Sequence, residues 1–249
     1  LTEKQLLKSY HSSTRTKVNK TAKSGMTVRK LSREELPLFE DVMFHTANRQ
    51  DFHDKGLDYY QDLYDSFGNQ AHFVATEINF NDYAEDNLKK IEKLQKKIER
   101  IGDDETKKGQ RENAETELSA LKKRLEDVQE FLTLTEKNQK EILAVGLFIE
   151  RPQGMLFLFG GMYDQYKNFL SPSYFLQHAM MKQSIEKNLN RFNFYGIEGV
   201  YDGSDGVLNF KKGFEGVVEE QLGSYMLVTN PFKYSIYTAM KKGIAKVKR

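Results

Sequence analysis

The hydrophobic positions change period along the chain. Between Tyr83 and Lys137 they recur at helical spacing among charged residues: Leu88, Ile91, Leu94 (or Gln95), Ile98 and Ile101, then Leu118, Leu121, Leu125, Val128 and Leu132. The second set steps by three and four, as the a/d seam of a heptad repeat does. Gly102-Asp103-Asp104-Glu105 interrupts the two runs. The pattern predicts an antiparallel helical hairpin whose apolar stripes cover each other, because either stripe alone would face water. At 1.5 Å per residue the first helix, about 19 residues, would project roughly 28 Å.

The flanks alternate between strand and helix patterns. Strands are expected at Met26 to Leu31, Ala71 to Asn79, Ile142 to Glu150, Met155 to Phe159, Phe192 to Tyr195 and Val217 to Leu227. Helices are expected from Arg33 to Asn48, opened by a Ser32/Glu35 capping box, and from Tyr59 to Phe67. Another is expected after Ser171-Pro172-Ser173 as far as Asn188, and a last one after Asn230-Pro231. Arg151-Pro152-Gln153-Gly154 reads as a β-hairpin turn. The economical reading is one α/β domain, residues 1–82 and 138–249, carrying the hairpin 83–137 as an insertion.

Charge and composition narrow the chemistry. The 38 basic and 36 acidic residues nearly cancel, and the hairpin itself holds 13 Lys/Arg against 14 Asp/Glu, so neither is a polyanion footprint as a whole. With no cysteine there are no disulfides and no thiolate chemistry. The longest apolar stretch, Ile142 to Ile149, is too short to span a bilayer. Leu1-Thr2-Glu3-Lys4 has no signal-peptide layout and no initiator methionine, so a cytosolic chain, excised from a longer one, is expected.

The five histidines show no metal-ligand spacing, and no P-loop, G-x-G-x-x-G or Gly-x-Ser-x-Gly motif occurs. No cofactor is expected. Gly160-Gly161 reads as a tight turn or a close backbone approach, the turn being the commoner outcome. Residues 1–30 hold eight Lys/Arg against the single acid Glu3, a run that can grip phosphates or simply be solvated. Tyr195 to Phe214 is rich in glycine, acids and aromatics, the composition of loops that line pockets. Lys211 within it reads, on residues alone, as an ordinary strand or loop lysine.

Taken together, these motifs resemble the FemA/FemX/MurM (FemABX) aminoacyltransferases. The residues that carry the resemblance are Gly206-Val207-Leu208-Asn209-Phe210-Lys211-Lys212-Gly213-Phe214, the preceding Arg191 to Gly196, the basic stretch Ser13 to Lys20, Phe159-Gly160-Gly161, and the inserted hairpin. The resemblance implies a GNAT-like subdomain with a coiled-coil arm, corresponding to the second half of such a protein and incomplete by itself. It implies transfer of an amino acid from aminoacyl-tRNA to the stem-peptide lysine of a peptidoglycan precursor, lipid-linked or UDP-linked, in the cytoplasm or at the inner membrane face of a Gram-positive bacterium. It also implies Lys211 and Phe210 as catalytic, with Arg15, Lys20, Phe157, Phe159, Gly160, Gly161, Tyr195 and Gly196 binding substrate. Where the FemX type has tyrosines this chain has Phe157 and Phe159, so a hydroxyl role there does not carry over. A non-enzymatic coiled-coil adaptor on a degenerate transferase domain is the alternative.

Overall fold

The computed structural model describes residues 1–134, 139–167, 169–223 and 225–247, which divide into two compact units, Leu1–Gly216 and Val217–Arg249. In the first unit, helices α1 (Glu3–Ser9) and α2 (Ser12–Ala22) precede strand β1 (Thr27–Lys30), α3 (Leu36–Gln50), α4 (Leu57–Phe67) and β2 (Ala71–Ile78). The long pair α5 (Phe80–Ile101) and α6 (Lys108–Leu134) follows, then β3 (Glu141–Arg151), β4 (Gly154–Met162), α7 (Pro172–Glu186), β5 (Phe192–Asn193) and α8 (Gly206–Lys212). The second unit contains α9 (Pro231–Val247).

The strands form one sheet in the order β1-β2-β3-β4-β5, antiparallel except for the parallel β4–β5 pair. All eight residues of β2 are buried, because helices cover both faces. Phe73, Ala75, Val145, Leu147 and Ile149 pack with Leu36, Phe39, Val42 and Tyr60 of α3 and α4. Val74, Phe148 and Met155 pack with Leu176 and Met180 of α7 on the other side. This alternation is the period-2 pattern of a strand buried from both directions. The entry to α3 is fixed by Ser32, whose N–H donates to the Glu35 carboxylate at 2.9 Å.

Helices α5 and α6, of 22 and 27 residues, form the helical hairpin and run roughly 33 and 40 Å. Ala84, Asn87, Ile91 and Ile101 are buried on α5, and Ala114, Leu121 and Val128 on α6. The seam differs from the sequence expectation at one step: Leu88 is exposed and Asn87 takes the inward position, because a 4-3 rhythm running back from Ile91 reaches Asn87 and Ala84. The hairpin's core is also not self-contained. Phe80, Tyr83, Ala84, Val128 and Phe131 share a cluster with Met26, Leu143, Tyr166, Phe169 and Leu170 of the sheet domain. The expected arm end at Lys137 lies outside the described residues.

Two further expectations are corrected. The described residues of 217–227 form no strand; Val217, Leu222 and Leu227 are 86%, 89% and 88% exposed. A segment becomes a strand only beside a neighbour that takes its hydrogen bonds, and none of the described strands pairs with this one. Gly160 and Gly161 are not a turn but lie inside β4, opposite Gly146 and Val145. A Cβ on Gly161 would fall 2.5 Å from Thr46 Oγ1 and 3.1 Å from Met43 Sδ, so the glycine is there to let α3 approach the strand.

Candidate functional site

β4 and β5 pair only at Met155–Phe192 and Leu156–Asn193, then part. The chain leaving β5 passes through Tyr195 in the left-handed region (φ 64°), where its N–H donates to Asn193 Oδ1 at 2.7 Å. Gly196 follows, and its carbonyl accepts from the Lys211 ammonium at 2.6 Å. Lys211 is therefore neither a strand nor an open-loop residue. It sits on α8, held by an Asp205 N-cap whose Oδ1 accepts from Val207 N–H at 2.8 Å and Leu208 N–H at 2.9 Å. Burial lowers the Lys211 pKa from that of a free lysine, opposed by the negative charge of Asp205.

Phe210 anchors the helix that carries Lys211. Its ring lies 4.7 Å from Tyr174 and 5.6 Å from Phe214, within a cluster that includes Tyr10, Phe192 and Phe194. Phe157 and Phe159 are not brought together. A bulge in the β3–β4 ladder intervenes, so Phe157 packs on Phe148 at 5.0 Å on the α7 side, whereas Phe159 faces Tyr59 and Tyr60 on the α3/α4 side. Arg15 donates to the Lys8 carbonyl at 3.3 Å. Lys20 sits beside Arg124 and Asp127 of α6; partial burial and then the Arg124 charge lower its pKa. The structure thus unites Lys211, Phe210, Tyr195 and Gly196, and places Arg15, Lys20 and Phe159 elsewhere.

A cleft of about 550 Å³ is lined by residues in and next to α2, α7 and α8, among them His11, Thr14, Lys17, Tyr174, Lys212 and Glu215, but not by Lys211. Its walls meet where a Cβ on Gly213 would come 2.3 Å from Thr14 Oγ1. The His11 N–H also donates to the Gly213 carbonyl at 3.1 Å, tying the helices together. Sequence reasoning chose Arg15 and Lys20 from the basic stretch and passed over Lys17, which turns toward Tyr174.

Residues 1–242 match the model of the FemAB family. The chain belongs to the FemAB family. It is 32% identical over 234 residues to aminoacyltransferase FemA of Staphylococcus epidermidis and 30% identical over 234 residues to that of Staphylococcus aureus. Each alignment covers 90% of this chain and 55% of the relative, so the chain spans about half the length of the curated relatives it matches. A crystal structure of FemX superposes with a TM-score of 0.64 at 22% identity, covering 86% of this chain and 56% of FemX. That likeness supports the GNAT-like α/β fold class expected from the sequence.

Proposed function

We infer that this chain carries the Lys211 half of an aminoacyltransferase that moves an amino acid from aminoacyl-tRNA to the stem-peptide lysine of a peptidoglycan precursor. The observation that carries this reading is the 2.6 Å Lys211–Gly196 contact in the loop that leaves β5, in a chain whose relatives are named aminoacyltransferases. The donor ester is already activated. The acceptor amine attacks the ester carbonyl, a C–N bond forms and the C–O bond to the ribose breaks; the amine proton ends on the departing ribose oxygen. Negative charge gathers on the carbonyl oxygen in between. Lys211 uses one N–H to hold the Gly196 carbonyl, and its remaining two can face that oxygen. Phe210 holds α8 so that this charge stays in place.

In the same reading the inserted hairpin is an arm that contacts the donor RNA. Lys89, Lys93, Lys96, Lys97 and Arg100 are all exposed on α5. At about 100° per residue they fall within an arc of roughly 100° opposite the buried seam. Among the described residues only Lys89 of the five is paired, with Glu85 at 2.7 Å. A lipid-linked acceptor would bring the protein to the inner membrane face; no described helix is long and apolar enough to cross it. The test is transfer of a labelled amino acid from charged tRNA to a lysine-containing precursor. An adaptor on a degenerate domain would give none.

A further inference from the structure

The unit Val217–Arg249 turns large apolar side chains to solvent. Tyr225 is 83% and Phe232 75% exposed, and Ile236, Tyr237 and Met240 follow them along α9. The helix is held by its own start: Asn230 Oδ1 accepts from the Lys233 N–H at 3.0 Å, and Ser235 Oγ donates to the Pro231 carbonyl at 2.9 Å. Phe232, Ile236 and Met240 are spaced by four, so they share a strip about 80° wide. Such a strip costs free energy in water until something covers it. Charge tells what does. Residues 221–249 hold six Lys/Arg and no Asp or Glu, in a chain whose totals, 38 and 36, nearly cancel.

We propose that this segment is a membrane-docking surface, with α9 lying in the headgroup plane of an anionic bilayer and Phe232, Ile236 and Met240 turned toward the acyl chains. A protein partner covering the strip would have to desolvate or pair the cations around it, and RNA would leave Ile236 and Met240 against water. An anionic bilayer satisfies both: acyl chains take the apolar side chains, headgroups take Lys233 and Lys241, and the exposed tyrosines sit at the boundary between them. The surface extends the transfer reading, on which it rests for its purpose, by holding the protein where a lipid-linked acceptor lies.

The chain has no tryptophan, so Phe232→Trp places a single fluorescent reporter on the strip. With vesicles of phosphatidylcholine and phosphatidylglycerol, the 249-residue chain carrying this change is expected to sediment with the lipid and shift its emission to the blue. Vesicles of phosphatidylcholine alone should bind it about ten-fold more weakly or worse. The double variants Ile236→Ser/Met240→Ser and Lys233→Gln/Lys241→Gln should each weaken binding about ten-fold, and salt should weaken what remains least in the second. Lys4→Gln/Lys8→Gln removes the same charge from exposed positions of α1 and should change little. Unchanged thermal unfolding will show that the variants fold. No binding, equal binding to the two vesicles, or binding that both α9 double variants retain would overturn the surface. Blue-shifted emission from a dimer without lipid would also overturn it, assigning the strip to a second copy, as would capture of the segment by transfer RNA with no insertion into vesicles. Vesicle binding is read without donor or acceptor, so its failure and failure of the transfer assay are separate results.

Discussion

The ammonium of Lys211 donates to the carbonyl of Gly196 at 2.6 Å, bridging the last turn of α8 to the loop that leaves β5. That bond holds the positive charge against the loop and uses one of the three N–H donors of the ammonium.

Replacing Lys211 by alanine should lower the turnover of transfer by about 10²–10³, the usual scale for loss of an oxyanion-stabilising group. Loss of the Gly196 bond should cost about 0.5–1.5 kcal/mol of stability, visible in thermal unfolding. Lys212→Ala, whose ammonium faces Tyr201 instead, should leave turnover nearly unchanged. Equal turnover losses for the two variants would remove the special role of Lys211.

Gly161→Ala should destabilise the protein by about 1–3 kcal/mol, because the new methyl collides with Thr46 on α3. Gly196→Ala meets nothing within 4 Å and should stay within about 0.5 kcal/mol. Denaturant unfolding of the two variants side by side checks the assignment of the glycine pair to strand interior.

The arm should tolerate shortening beyond its base. Excising residues 92–120 behind a glycine turn leaves Tyr83, Val128 and Phe131 on the sheet domain, whose unfolding midpoint should hold. Excision from Asp82 to Glu136 uncovers Met26, Tyr166 and Phe169 and should cost several kcal/mol, at about 1.5–3 per large apolar side chain. Asn87→Leu should stabilise the hairpin, since the buried Asn87 Nδ2 has no hydrogen-bond partner among the described residues.

Acid should loosen the N-terminal helices. His178 is buried between Tyr10, whose hydroxyl is 3.1 Å from Nδ1, and Glu3, itself paired with Lys182. Burial lowers its pKa below the ordinary 6.5, outweighing the carboxylate of Glu3. The unfolded chain therefore takes up the proton first as pH falls, so this stability is complete above about pH 6.5 and is lost below it, as pH falls toward the lowered folded pKa. Thermal midpoints measured from about pH 7.5 to 5.5 should decline, and decline less in His178→Gln.

The long elements were legible because their periodicity is local: the α5/α6 stripes and the Ser171-Pro172 start of α7 are set by neighbours within a few turns. Errors arose where long-range partners decide. Gly160-Gly161 looks like a turn until Thr46 of α3 is known to press on it. Val217 to Leu227 is expected to be a strand, yet no described neighbour pairs with it. Lys17 was indistinguishable from Arg15 and Lys20 in a basic run; only the packing of α2 on α7 turns it over Tyr174.

The central claim is amino-acid transfer that depends on Lys211. Radiolabelled amino acid on charged tRNA, a lysine-containing muropeptide precursor and this chain, supplied with a first-half subdomain in cis or in trans, form the assay. The expected result is labelled precursor with wild-type Lys211 and a loss of about 10²–10³ with Lys211→Ala. Absence of labelled precursor from the completed wild-type assay, or undiminished labelling with Lys211→Ala, would contradict it.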